Sequence, residues 1–343
     1  MNPPSFAWPA VLGSLVAGRD IEESAAHGAM TEIMEGRAEP AQVAAFIVAL
    51  RSKGETVDEM VGLVRAMYDA AVTVDVGIPV VDTAGTGGDR SGTFNISTTA
   101  AFIAAGAGAN VAKHGNRAAS SRSGSADVLE ALGVRIDLAP ESVATLIREA
   151  GFGFFFAPRF HPAMRHAGPV RIALGVPTVF NFLGPLANPA RATAQAIGVS
   201  DSRMAETMIG VLQRLGREQA FVFYGEDGLD EITTTGTSFI YRLRRGEVTH
   251  AEFTPEDFGV ARSQPEDLKG GDAAANAVIT RQVLSGAHGP RRDVSLVNAA
   301  PAIVAAGLAD GFGPAIELAA DSIDSGRAAS VLEKVVAMGK DLP

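Results

Sequence analysis

Four polar clusters in the chain carry residue types suited to a phosphate-rich substrate and a divalent cation. The first is Asp82-Thr83-Ala84-Gly85-Thr86-Gly87-Gly88-Asp89, which leads through Thr93 to Asn95-Ile96-Ser97-Thr98. Glycines let a backbone turn sharply and bring its N–H groups against an anion, and a helix opening at Asn95 would add free N–H donors and a partial positive charge. Asn95, Ser97 and Thr98 would also serve simply as helix caps. The spacing matches neither the dinucleotide-binding nor the Walker pattern, so those cofactor classes are not supported. The second cluster runs Lys113-His114-Gly115-Asn116-Arg117-Ala118-Ala119-Ser120-Ser121 and on to Arg122 and Ser125. Three cations and several hydroxyls directly after an apolar run make an anion cradle, against the plainer alternative of a solvated polar loop.

The third cluster is Asp227-Gly228-Leu229-Asp230-Glu231. Adjacent carboxylates beyond a strand suit magnesium, which takes hard oxygen ligands and shares substrate phosphates; adjacent acids are also common on surfaces. The fourth cluster spans His161, Met164, Arg165 and His166, then Arg171, then the run from Asn181 through Pro185 to Pro189. It mixes an apolar wall with a guanidinium, which is what an aromatic carboxylate needs.

These clusters need elements to position them. The chain to about residue 75 reads as helices only. Pro40 starts one, with Val43, Phe46, Ile47 and Leu50 at helical spacing and Gly54 as its stop. Thr56 and Glu59 form a capping box ahead of Met60, Leu63, Val64 and Met67, and an earlier helix covers roughly 21–35. After Gly77 the pattern alternates. Strands are expected at 78–81, 109–112, 153–156, 194–199 and 220–224, with a helix at 96–105. That alternation implies an α/β fold with a mostly parallel sheet flanked by helices. Segments 238–243 and 248–253 read as a hairpin on that sheet, and 263–275 as the most mobile loop.

Composition sets limits. Of 343 residues, 47% are hydrophobic and 20% charged, which allows a sizeable core. There is no cysteine, which excludes disulfides and thiolate chemistry. The formal net charge of -10 argues against a general nucleic-acid binder. The first residues show no basic, apolar leader pattern, and no run approaches the ~18 apolar residues of a membrane span, so a cytoplasmic protein is expected.

The pairing of Gly85-Thr86-Gly87-Gly88-Asp89 with Lys113-His114-Gly115-Asn116-Arg117, followed by Asp230-Glu231, resembles the anthranilate phosphoribosyltransferases of tryptophan biosynthesis. The resemblance runs from Gly18-Arg19-Asp20 to Asp324-Ser325-Gly326. Pyrimidine nucleoside phosphorylases are similar in fold but lack the Lys-His-Gly-Asn run; an enzyme of that kind, or a nucleic-acid-binding relative, is the alternative.

The resemblance implies a fold of the nucleoside phosphorylase/phosphoribosyltransferase type. A small all-helical, dimerising domain would take residues 1–75 and about 165–190, and a larger α/β domain 76–164 and 191–343. It also implies site roles. Gly85, Gly88, Asp89, Thr93, Asn95, Ile96, Ser97, Thr98, Lys113, His114, Gly115, Asn116, Arg117, Ala118, Ala119, Ser120, Ser121 and Ser125 would hold phosphoribosyl pyrophosphate (PRPP). Lys113 would assist pyrophosphate departure. Gly85, Asn116 and Arg171 would contact anthranilate, with His161, Met164 and Pro185 along its approach. Ser97, Asp230 and Glu231 would ligate two magnesium ions. One position departs from the pattern: Pro177 stands where relatives often carry arginine. No covalent nucleophile is implied.

Overall fold

The computed structural model describes residues 6–118 and 122–343. The chain opens with four helices: α1 (Trp8–Val16), α2 (Glu23–Met34), α3 (Pro40–Lys53) and α4 (Val57–Asp69). Proline at the first turn starts α3, and Gly54 ends it in a backbone conformation with φ of 95°. The expected capping box starts α4, with the Thr56 hydroxyl accepting from the Glu59 amide and the Glu59 carboxylate accepting from the Thr56 amide. The expected helix at 21–35 is α2, and α2 and α4 pack along one another.

Beyond residue 80 strands and helices alternate: β1 (Val81–Gly85), α5 (Ile96–Gly106), β2 (Val111–Gly115), α6 (Ser125–Ala131), α7 (Pro140–Ala150) and β3 (Phe152–Phe156). The chain then returns to the first helices through α8 (Ala157–Phe160), α9 (Gly168–Leu174) and α10 (Phe180–Leu186). α9 packs on α3, and α10 on α4. Next come β4 (Ala194–Gly198), α11 (Ala205–Arg214), β5 (Gln219–Gly225), β6 (Ser238–Arg244) and β7 (Glu247–Phe253). Four helices close the fold: α12 (Ala273–Leu284), α13 (Pro290–Ala305), α14 (Phe312–Asp324) and α15 (Arg327–Asp341).

The sheet order is β3-β2-β1-β4-β5-β6-β7. The first five strands in that order are parallel, and β6 and β7 add the expected hairpin antiparallel at one edge. Chain order runs outward from β1 to β3 and then returns to β4 beside β1. The carboxyl ends of β1 and β4 are therefore the point where the winding reverses, and open α/β sheets bind ligands there. One face of the sheet packs under α5, α13 and α15. The other face shares a core with the N-terminal helices, α10 and α11, through Ile197, Val199, Ala220 and Val222.

Two strands sit further along the chain than their apolar runs suggest. β1 begins at Val81 rather than 78, because Pro79 has no amide to pair and ladder pairing starts with the Val81 amide on the Asn110 carbonyl. Asp82 to Gly85, expected as a turn, are strand residues. In β2 the pairing with β3 continues through Lys113, His114 and Gly115, so these too are strand residues rather than loop. Segment 263–275 is also tighter than expected. Leu268 is buried, its carbonyl accepts from the Phe94 amide, and the Gly270 amide donates to the Gly92 carbonyl.

Candidate active site

The end of β1 is shaped by what cannot fit there. A methyl group on Gly198, at the end of β4, would overlap the Asp230 carbonyl oxygen, and one on Gly85 would come within 2.5 Å of the Asp230 carboxylate. Two bare glycines thus let the loop after β5 lie directly over the ends of β1 and β4. The Gly87 amide donates to Asp230 Oδ2 at 2.6 Å, so the Gly-rich turn and the acid pair are one unit. Ser200, just past β4, locks the turn: its Oγ donates to the Gly87 carbonyl at 2.7 Å and its amide to Thr86 Oγ1 at 3.0 Å. Gly87 and Gly88 both have positive φ, 66° and 81°, which turns successive amides toward one side.

The amino end of α5 points at the same place. The Ser97 amide donates to Glu231 Oε1 at 3.1 Å. Asn95 does not cap its own helix. Its side chain donates to the Ser123 carbonyl at 3.2 Å and accepts from Asn276 Nδ2 at 2.9 Å, tying α5 to the 113–125 segment and to α12. Ile96 is buried among Phe94, Leu229 and Leu268, which leaves only its backbone for a ligand. The hydroxyl of Thr98 is buried with no hydrogen-bond partner. Asp89 accepts from Ser91 Oγ at 2.7 Å, and Thr93 bridges to Lys269.

Lys113 is 2% exposed and projects beneath the turn. Its Nζ donates to the Thr83 carbonyl at 2.6 Å and lies 3.5 Å from Ser97 Oγ. Burial lowers its pKa, while Asp82, Glu231 and Asp230 favour the charged form. The carboxylates show the opposite strain. Burial, and then the charge of Asp89, pushes Asp230 upward; burial, and then Asp230, pushes Glu231 well above the usual range. Crowded, desolvated carboxylates of this kind are relieved by a cation. Among the described residues no group of three or more His, Cys, Asp or Glu side chains could hold a metal alone. The oxygen donors present therefore fit an ion such as magnesium that completes its shell with water and substrate phosphates.

The remainder of the 113–125 cluster divides. Ser125 Oγ donates to the Asn116 carbonyl at 3.3 Å, closing the loop over Gly115. Arg117 pairs with Asp127 and Glu130 and lies over the Phe156 ring, so its charge is already met. The Ala118 amide donates to Asp127 Oδ2. Ala119, Ser120 and Ser121 lie outside the described residues.

His114 is buried and serves a different end. Its Nδ1 donates to the Gly184 carbonyl at 3.0 Å, and burial, then the neighbouring His161, pushes its pKa down to about 3, so the ring is neutral. It is one of four side chains holding four consecutive carbonyls at the end of α10. Gln195 Nε2 donates to Pro185 at 2.9 Å, the Tyr68 hydroxyl to Leu186 at 2.9 Å and His161 Nε2 to Ala187 at 2.8 Å. A helix leaves its last four carbonyls without partners, and here α4, β2, β4 and the segment after α8 supply them. Asp82, beside this clamp, accepts from the His114 amide at 3.1 Å, and burial raises its carboxyl to about 6. Sequence reasoning missed Tyr68, Gln195 and Ser200, none of which stands in an obvious motif, and placed Asp82 in the Gly-rich motif without a role.

His161 and Pro185 are thus buried beneath the surface rather than open to a channel, and Met164 is half-buried against the helical core. Arg171, on α9, lies over the Phe180 ring at 5.2 Å. Among the described residues it has no acidic partner, and burial lowers its pKa. A desolvated guanidinium stacked on an aromatic ring without a counter-charge is ready for a carboxylate.

Comparison with known proteins agrees with this geometry. Residues 77–329 match the model described as "Glycosyl transferase family, a/b domain" and residues 9–71 that described as "Glycosyl transferase family, helical bundle domain". An anthranilate phosphoribosyltransferase from Arthrobacter sp. is 53% identical over 337 residues, covering 96% of both chains. One from Moorella thermoacetica is 54% identical, covering 96% of this chain and 97% of its own. The crystal structure of anthranilate phosphoribosyltransferase from Thermus thermophilus superposes with a TM-score of 0.91 at 43% identity, covering 96% of this chain and 99% of that one. The Saccharomyces cerevisiae enzyme in complex with PRPP and Mg gives 0.90 at 27% identity over 98% of this chain and 99% of its own.

Proposed function

The chain belongs to the anthranilate phosphoribosyltransferase family, and we propose on that premise that it moves the 5-phosphoribosyl group of PRPP onto the amino group of anthranilate, releasing pyrophosphate. One observation carries the reading. The Gly87 amide meets Asp230, the Ser97 amide meets Glu231, and Lys113 lies under Ser97, all at the reversal point of the sheet.

Bond breaking at the ribose C1 leaves positive charge on the sugar and negative charge on the departing pyrophosphate. Amides of the Gly-rich turn and α5, with the Lys113 ammonium beneath them, stabilise that negative charge, the Gly87 and Ser97 amides exchanging Asp230 and Glu231 for phosphate oxygens. Magnesium, when bound, neutralises pyrophosphate oxygens; Ser97, Asp230 and Glu231 would hold it, two ions per subunit being our reading. Gly85, Gly88, Asp89, Thr93, Asn95 to Thr98 and the 113–125 segment form the PRPP cradle. Ile96 contributes backbone only, and His114 acts by fixing α10. Arg171 takes the anthranilate carboxylate, with Gly85 and Asn116 opposite; His161 and Pro185 support that wall from beneath, and Met164 flanks it. An aromatic amine is already neutral at pH 7, so alignment of its nitrogen with C1 supplies most of the rate, and the proton shed as the N–C1 bond forms passes to the departing pyrophosphate or to water.

The helices before residue 75 together with 165–190 form one lobe in this reading, supported by the packing of α9 on α3 and α10 on α4. That lobe also makes a homodimer. Val16, Val48, Ile172 and Val176 are exposed at 77%, 40%, 84% and 57%, on or beside helices that touch one another. No helix among the described residues is long and apolar enough to cross a membrane, and a cytoplasmic location completes the proposal. The test is loss of anthranilate fluorescence on adding PRPP and magnesium to the purified protein, with thymidine and phosphate as the competing substrate pair. No loss from folded protein, or phosphorolysis of thymidine in its place, would overturn the assignment.

A further inference from the structure

A second site-like feature lies at the opposite, amino ends of β4 and β5. A groove of about 830 Å³ opens where α2 and α4 meet the segments leading into β4 and β5. That volume is in the range of small-ligand sites. Its floor is Tyr68, over which two guanidiniums lie, Arg191 at 5.2 Å and Arg217 at 5.9 Å from the ring centre.

The charges of the groove do not cancel. Glu23 pairs with Arg65 and Arg214, Arg214 also with Asp58, and Asp69 with His27. Arg217 is held by neutral acceptors only: Gln195 Oε1 at 3.1 Å, the Arg191 carbonyl at 3.4 Å and the Tyr68 hydroxyl at 2.6 Å. Among the described residues Arg191 has no hydrogen bond or ion pair from its side chain at all. Four lining arginines therefore face three lining carboxylates, Glu22, Glu23 and Asp69, and neither Arg191 nor Arg217 is paired with any of the three. Two guanidiniums held close to one ring repel, and an oxyanion bound by both offsets the repulsion while using the fork of N–H donors that each presents. Arg191 also holds a left-handed backbone, φ 50°, which a residue with a side chain adopts at a cost.

We propose that this groove is a second binding site, separate from the PRPP cradle, for a small molecule bearing a compact oxyanion, carboxylate or phosphate, held by Arg191 and Arg217 over Tyr68. The site touches two of the three connections between the lobes, α4 into β1 and α10 into β4, because the Tyr68 hydroxyl also donates to the Leu186 carbonyl.

The experiment follows the arginine Nε–H NMR resonances of the whole protein, with the cradle first filled by PRPP and magnesium in the absence of anthranilate. Inorganic sulfate and acetate are then titrated separately. Saturable shifts of the Arg191 and Arg217 resonances are expected. Sulfate binding tighter than acetate identifies a phosphate-type ligand, and the reverse order a carboxylate. Arg191→Gln should weaken the binding by about tenfold or more, the loss expected for one charged hydrogen-bonding group, while turnover without added anion stays at the parent rate. Linear, unsaturable drift with both anions, or equal binding in Arg191→Gln, would overturn the proposal.

Discussion

The cradle at the strand ends and the slot beside α9 and α10 are built on opposite plans. The cradle is made of backbone amides, glycines and buried charges, each tied to several neighbours: Gly87 to Asp230 and Ser200, Ser97 to Glu231, Lys113 to Thr83. The slot rests on one side chain, Arg171 of α9, oriented by the single ring of Phe180 on α10, whose last carbonyls are clamped from four directions. The lesson is that the cradle fails when an atom is added, and the slot when one is removed.

The sharpest way to break the cradle is Gly198→Ala. The new methyl would overlap the Asp230 carbonyl oxygen, so the acid loop must move by about an ångström or more. Displacements of that size cost roughly 10²-fold in rate, and turnover should fall at least that far with the protein still folded. Parent-like activity would show that the close approach is irrelevant to the chemistry.

Glu231→Gln comes next. It keeps an oxygen for the Ser97 amide but removes a charge that burial and Asp230 both disfavour. A carboxyl whose folded pKa is raised detracts from stability once pH exceeds its unfolded value, so at pH 7 the variant should melt at or above the parent temperature. Activity should fall by about 10²-fold, the scale for removing one preorganised electrostatic group. Thermal melts and initial rates measure the two halves, and a variant that loses stability along with activity would contradict the assignment.

The smallest effect concerns the clamp. His114→Gln keeps a donor for Gly184 and should cost about 1 kcal/mol at pH 7, where the parent ring is neutral in both states or nearly so. Its signature is in pH. Below about 6.5 the unfolded imidazole takes up a proton that the folded ring, pushed down to about 3, refuses. Parent stability therefore falls as pH drops through that window, by at most ~1.4 kcal/mol per unit for this group, and the variant's curve should be shallower. Denaturant unfolding at pH 7, 6 and 5 decides it; parallel curves would mean that His114 is charged or solvated in the folded state.

Much of this was legible in the sequence, because the signals were local. The Pro40 start and Gly54 stop of α3, the Thr56–Glu59 capping box and the β6–β7 hairpin fall where periodicity and turn chemistry put them. The mostly parallel α/β class followed from the same alternation. What was hidden is what contradicts the apolar-run rule. Asp82, Thr83, Lys113 and His114 are buried strand residues whose polarity made them look like loop. Their burial is tolerated because each finds a partner in another element, and no local pattern marks such partners. The clamp is the clearest case: Tyr68 and Leu186 are 118 positions apart. The ion pairs of Arg117 were hidden in the same way, since Asp127 and Glu130 stand 10 and 13 positions further on, on the following helix.

The contrast between cradle and slot rests finally on Arg171. Michaelis constants for both substrates should be measured in Arg171→Ala. The account predicts a rise for anthranilate of roughly 10- to 150-fold, corresponding to ~1.5–3 kcal/mol for one charged hydrogen-bonding group, with the constant for PRPP unchanged. A rise confined to PRPP, or no change in either, would contradict it.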